Sequence, residues 1–255
     1  MTVWPRGGCS RALTEIVLVT CEHGGNGVPP AFRRLFKKNP AVLDTHRGWD
    51  KGALILAREL SSTLGPLFFS ETTRLLVDLN RSLHHRKLFS EFTADCDKDT
   101  RRRILEEFYY PYRRNLETAI ARAVTGNGRV IHLSIHSFAP ELDGITRNAD
   151  IGLLYDPARH AEFEFCATLQ AGLQLATGLK VRRNYPYLGT ADGLTTHLRR
   201  RYRENNYLGI EIEINQRHVR PKTAEWAAFR KPVIAAVAAV AKRNLQSIGC
   251  TRHGF

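Results

Sequence analysis

Three stretches of the chain run apolar and β-branched and then stop on polar residues. Residues 15–21 (EIVLVTC) run into Glu22-His23-Gly24-Gly25, residues 129–135 (RVIHLSI) run into His136, and residues 208–214 read LGIEIEI. Near-continuous apolar runs of this length, bounded by turn residues, predict strands buried on both faces. Shorter strands are predicted at 67–70, 74–79, 151–155 and 180–184. Between them the spacing turns helical. Asp50 stands as an N-cap ahead of Ala53, Ala57, Leu60 and Leu64, and Gly65-Pro66 stops that helix. Further helices are predicted over 100–124, kinked at Pro111; over 157–177, closed by Gly178; over 194–202; and over 222–248, interrupted at Pro232. Residues 24–40 read as a long loop with one helical turn at 31–37, residues 82–100 as a polar lid or insertion, and Gly126-Asn127-Gly128 as a turn. Strands alternating with helices imply one α/β domain over 1–255, with a mostly parallel mixed central sheet and helices on both faces. Residues 1–14 are expected to be a loose leader.

Composition narrows the class. With 255 residues, 43% apolar and 25% charged, the chain is long enough for a sizeable core. The most apolar run, 232–241, falls short of the ~20 residues that span a bilayer. No apolar signal-peptide core opens the chain, so a cytoplasmic protein is expected. Five cysteines, odd in number and without a CxxC pair, argue against a disulfide framework and a zinc finger. Cys21 is read as strand packing. The net charge of +13 suits an anionic substrate. The arginine clusters at 101–103, 113–114 and 199–203 sit in helical patterns with no nucleic-acid motif, so nucleic acid is not the expected partner.

Candidate chemistry gathers at the strand ends, where open α/β sheets bind ligands. His23 precedes two glycines, which suggests an exposed imidazole with room for a ligand. By the period of two, His132, Ser134 and His136 share one face of their strand, and a polar row on a buried strand needs partners or a function. Neutral imidazole is the commonest metal ligand, and a catalytic zinc site takes three protein ligands. The third is open between Glu22, Asp50 and Asp78; Glu22 alternates with His23 and is expected to point elsewhere. Asp78 is also a candidate to orient a ligand histidine. Asn80 and Arg81 form a pair able to clamp a carboxylate. Glu211 and Glu213 share one face amid isoleucines, a costly placement unless they are coordinated or catalytic. Tyr187, in the turn NYPYLGT, is a candidate pocket wall. Each of these residues has a plain alternative: a satisfied core histidine, a helix cap, a salt bridge or a turn.

The ordered set EHGGN, HRGWDKGA, TTRLLVDLNRS, IHLSIHSF, NYPYLGT and GIEIEINQR resembles the N-formylglutamate amidohydrolase family and covers most of the chain. The resemblance implies a three-layer phosphorylase/hydrolase-like α/β fold, related to zinc carboxypeptidases and zinc peptidoglycan amidases. It implies one Zn2+ ion held by His23 and His136, with Asp50 as third ligand by analogy with the amidases, since Asn26 stands where the carboxypeptidase branch has a glutamate. It further implies a substrate carboxylate gripped by Asn80 and Arg81, Glu213 of the EIN motif as the catalytic glutamate, and a place in histidine breakdown. The expected activity is hydrolysis of a small anionic N-acyl amino acid, with N-formyl-L-glutamate foremost. The alternatives are another N-acyl amino acid, a cell-wall peptide, or a basic binding protein without catalysis.

Overall fold

The computed structural model describes residues 15–125 and 128–250. The expected leader and the Gly126-Asn127 part of the predicted turn lie outside the described residues. Six strands form the main sheet: β1 (Glu15–Cys21), β2 (Leu67–Phe69), β3 (Arg129–Phe138), β6 (Ile151–Leu154), β7 (Val181–Arg183) and β8 (Tyr207–Asn215), in the order β2-β1-β3-β8-β6-β7. Within this sheet, among the described residues, only the β6–β8 pair is antiparallel. Two further strands, β4 (Glu141–Leu142) and β5 (Ile145–Thr146), form a separate hairpin.

Every residue of β3 and of β8 is buried, because helices cover both faces. On one face Val17, Val19, Ile131, Leu133, Ile210 and Ile212 pack with α1 (Ala53–Leu64), α4 (His160–Thr177) and α6 (Ala224–Cys250). On the other, Leu18, Val130 and Tyr207 pack with α3 (Tyr110–Val124) and α5 (Leu194–Arg201). This is the expected three-layer α/β fold. Among the described residues no helix is long and apolar enough to cross a membrane.

Several elements depart from the pattern. Residues 74–79 form turns, not a strand. Their backbone bonds to neighbouring loops, with Arg74 N donating to Gly48 O at 3.2 Å and Asp78 N to Leu88 O at 2.9 Å. Leu75, Leu76, Val77 and Leu79 are buried against Phe32, Phe36 and Val42, in an apolar cluster outside the sheet. Asp50 is not the N-cap of α1. Gly52, at φ 81°, precedes the helix and no side chain caps it; the Asp50 carboxylate is used elsewhere. The helix around Pro111 is α2 (Lys98–Ile104), a π turn at Leu105–Tyr109, and then α3, which places Pro111 in its first turn. A wider turn accommodates the missing donor. Pro232, by contrast, lies inside α6 without ending it. Trp226, Val233, Val237 and Ala241 are buried along that helix and hold it to the sheet, which offsets the ~3 kcal/mol cost of an interior proline. The β4–β5 hairpin was not expected from the pattern. It turns on Asp143-Gly144, both at positive φ (51° and 75°), as two-residue hairpin turns require.

Candidate active site

Strands β1, β3 and β8 run parallel and side by side, so their carboxyl ends open on one edge. Register then decides which side chains meet. Thr20 is level with Ser134, and Ser134 with Glu211; His136 is level with Glu213. Two residues beyond Thr20 comes Glu22, on the same face. His23 leaves the end of β1 and turns into the cleft. The loop that carries it passes close over the end of β2, where Gly24 N donates to Ser70 O at 3.0 Å and Gly27 N to Glu71 O at 2.9 Å. A Cβ at Gly25 would stand 2.6 Å from Glu71 O. The glycines therefore serve this backbone approach rather than a ligand, and the His23 ring is buried, not exposed.

His23, Asp50 and His136 come together, each offering a ligand atom within 4.8 Å of the others. Asp50 Oδ2 lies 3.3 Å from His23 Nδ1 and 2.8 Å from His136 Nδ1. The far nitrogens are taken. His23 Nε2 meets Asp78 Oδ1 at 2.7 Å, and His136 Nε2 lies 2.9 Å from Ser134 Oγ and 3.3 Å from Glu22 Oε2. So Asp78 and Glu22, the other two candidate third ligands, both stand behind the histidines. Glu22 does not point away from the site, as its alternation with His23 suggested; it shares the His136 face of the sheet.

The electrostatics are those of a cation site. Burial and Arg74 push the His23 pKa down, but Asp78 and Asp50 outweigh them and raise it. Burial opposes the His136 charge too, and hydrogen bonds to Asp50 and Glu22 raise its pKa well above the usual value. Asp50 is held below the carboxylate range: burial alone would raise it, and the His23 charge with the imidazole bonds prevails. Two Nδ1 atoms and one carboxylate oxygen converging, with each far nitrogen held by a carboxylate, fit a divalent cation.

Around this cluster a cleft of about 350 Å3 is lined by Asn80, Arg81, Tyr187, Glu211 and Glu213 as well as the three candidate ligands. Asn80 Oδ1 accepts from Leu194 N at 2.7 Å, and Arg81 Nη1 donates to Asp192 O. Tyr187 stands at the mouth, 43% exposed, and accepts from Arg147 Nη1 at 2.9 Å. The two glutamates differ. Glu211 Oε1 accepts from Thr195 Oγ1 at 2.6 Å. Glu213 Oε2 is buried with no hydrogen-bond partner among the described residues, and burial, reinforced by Asp50 and Glu211 against the His136 charge, pushes its pKa up to about 8.

Arg74 carries no role in the sequence reading, yet it lines the cleft and bridges two acids. Its Nη2 donates to Asp78 Oδ2 at 2.7 Å and its Nη1 to Asp50 Oδ1 at 3.4 Å. The available signal was its spacing of four from Asp78. Cys21 packs in the core below, its thiol pKa raised by burial.

A mostly parallel sheet with a His/Asp/His cluster at its carboxyl edge and, among the described residues, an unpartnered carboxylate oxygen beside it is the arrangement of a hydrolase of α/β architecture with a candidate metal centre. The chain belongs to the N-formylglutamate amidohydrolase family, whose model matches residues 16–219. Among solved structures it is similar to a gene product of Agrobacterium tumefaciens, with 26% identity, a TM-score of 0.74 and 91% of each chain covered. It is also similar to an N-formylglutamate amidohydrolase from Ralstonia eutropha JMP134, with 18% identity and a TM-score of 0.69, over 92% of this chain and 96% of that one. No curated protein matches it in sequence.

Proposed function

We propose that the chain is a zinc-dependent hydrolase of N-acyl amino acids, with N-formyl-L-glutamate as leading substrate and formate and L-glutamate as products. His23 Nδ1, Asp50 Oδ2 and His136 Nδ1 are the atoms that would hold the ion. When bound, zinc supplies Lewis-acid stabilisation of the charge that develops on the amide oxygen. Asp78 and Glu22 keep both Nδ1 atoms turned inward. Glu213, whose ionised form the nearby positive charge of a bound ion would favour over its metal-free pKa of about 8, takes the proton of the attacking water at Oε2 as the new C–O bond forms, and delivers it to the amine as the C–N bond breaks. Arg81, with Asn80, binds a substrate carboxylate, and Tyr187 closes the mouth. Arg74 sets a fixed positive charge beside the reacting centre. On the same reading the substrate arises in cytoplasmic histidine breakdown.

The observation that carries this reading is Glu213. Its buried Oε2 has no hydrogen-bond partner among the described residues, and the residue is level with His136 on the adjacent strand, which leaves that oxygen open to exchange a proton. Thr195 occupies Glu211 instead, which makes Glu211 a positioning group for the wall beside Asn80. The test is a panel of N-formyl and N-acetyl amino acids and a muramyl peptide, with amine release measured for each. Highest kcat/KM on N-formyl-L-glutamate is expected. Preference for an acetyl substrate or a muramyl peptide would move the assignment within the amidases. Absence of turnover on all of them would overturn it.

A further inference from the structure

Glu22 is as buried as any charged residue of the site, 1% exposed. Its Oε1 accepts from Tyr112 Oη at 2.8 Å, and its Oε2 accepts from Ser134 Oγ at 2.9 Å and lies 3.3 Å from His136 Nε2. Among the described residues no lysine or arginine pairs with it. Asp78, in the matching place behind His23, is different. Arg74 Nη2 binds it at 2.7 Å and Arg81 Nε lies 3.9 Å away, so much of its charge is already answered. A buried carboxylate without a cation is expensive to keep. Two hydroxyl donors offset that cost here, and among the described residues His136 is the imidazole within ion-pair distance of it. Tyr112 comes from α3, just past the π turn, on a helix start that also props the substrate loop: Tyr109 Oη donates to Arg81 O at 2.7 Å.

We propose that Glu22, held by Tyr112 and Ser134, is a positioning residue that sets how tightly the site binds its metal ion. With its carboxylate beside Nε2, and Ser134 Oγ bridging the two, it holds the ring so that Nδ1 faces Asp50, and its negative charge makes that nitrogen a stronger donor to a metal ion. The inference rests on the metal reading given above. It adds that helix α3, packed on the same face of the sheet, controls metal affinity through a residue that touches neither the ion nor the substrate.

The experiment measures the zinc Kd of the purified protein by competition with a chromophoric chelator, for wild type, Glu22→Gln and Tyr112→Phe, with the visible spectrum of each cobalt(II)-loaded protein recorded alongside. Glu22→Gln is expected to bind zinc 10–100-fold more weakly, the range seen for lost outer partners of metal-bound histidines. It should also shift the cobalt spectrum. Tyr112→Phe keeps the carboxylate and is expected to lose several-fold. Should Glu22→Gln fail to fold, Tyr112→Phe carries the test. Wild-type zinc Kd and cobalt spectrum in a folded Glu22→Gln, or in Tyr112→Phe when the first variant does not fold, would overturn the inference while leaving the metal reading intact. A wild-type protein that binds no zinc would overturn both.

Discussion

His132 is a buried histidine outside the lining of the cleft, and its environment makes a quantitative prediction. It is fully enclosed, with Nδ1 2.7 Å from Tyr207 Oη and Nε2 2.9 Å from Thr20 Oγ1. Burial pushes its pKa down to about 4; Glu22 opposes the shift, while Arg199, His136 and Arg113 reinforce it. In the unfolded chain the same ring titrates near 6.5. The folded state therefore binds fewer protons between these values. Its stability is fully present above about pH 6.5, falls as the pH drops toward about 4, and loses nothing more from this group below that. A shift of roughly 2.5 units at ~1.4 kcal/mol per unit makes the loss about 3 kcal/mol. The perturbation is His132→Asn, which keeps a polar group and removes the titration. Urea unfolding of metal-free wild type and variant, at intervals from pH 8 to pH 4, isolates the effect, because every other titrating group is common to both. The variant is less stable at pH 8, and the difference should shrink by about 3 kcal/mol at pH 4. A stability difference that stays constant across that range would refute the reasoning and show that His132 is protonated, or solvated, in the folded protein.

Two further outcomes concern ligands. Zinc at 100 times its Kd stabilises the folded state by about 2.7 kcal/mol, so chelation should lower the thermal midpoint by roughly 5–10 °C and added zinc restore it; Asp50→Asn should abolish most of that response. Arg81→Ala removes a charged hydrogen-bond donor worth ~1.5–3 kcal/mol, so KM for an anionic substrate should rise at least about tenfold with kcat less affected, as read from steady-state amine release.

Which parts of the fold and site were legible depends on whether their cause is local. Burial on both faces writes itself into sequence as an apolar run, so β1, β3 and β8 stand where the pattern puts them. The polar residues that interrupt those runs, His132, Ser134 and His136 in one and Glu211 and Glu213 in another, are conspicuous for the same reason. Residues 74–79 look identical to such a strand, but the phenylalanines they pack against come from 32 and 36, outside the sheet. Asp50 looks like a helix cap because carboxylates before helices usually are. The histidines that claim it are 27 and 86 positions away. Alternation along β1 sets Glu22 opposite its neighbour His23, whereas register sets it beside His136, through the pairing of Thr20 with Ser134. Alternation along one strand cannot reveal register across two. The β4–β5 hairpin is missed although Asp143-Gly144 is a local turn signal, because its strands are two residues each and show no alternation.

The central proposal is that Glu213 moves the proton in a metal-assisted amide hydrolysis. It is tested most directly by Glu213→Gln, with zinc content and amine release from N-formyl-L-glutamate measured on the same preparation. Gln preserves the shape of the side chain and removes the base. Zinc should remain at the wild-type ratio while kcat falls by at least the 10²–10⁴ that positioned acid–base groups supply. Wild-type turnover in a fully metallated Glu213→Gln protein would contradict the proposal.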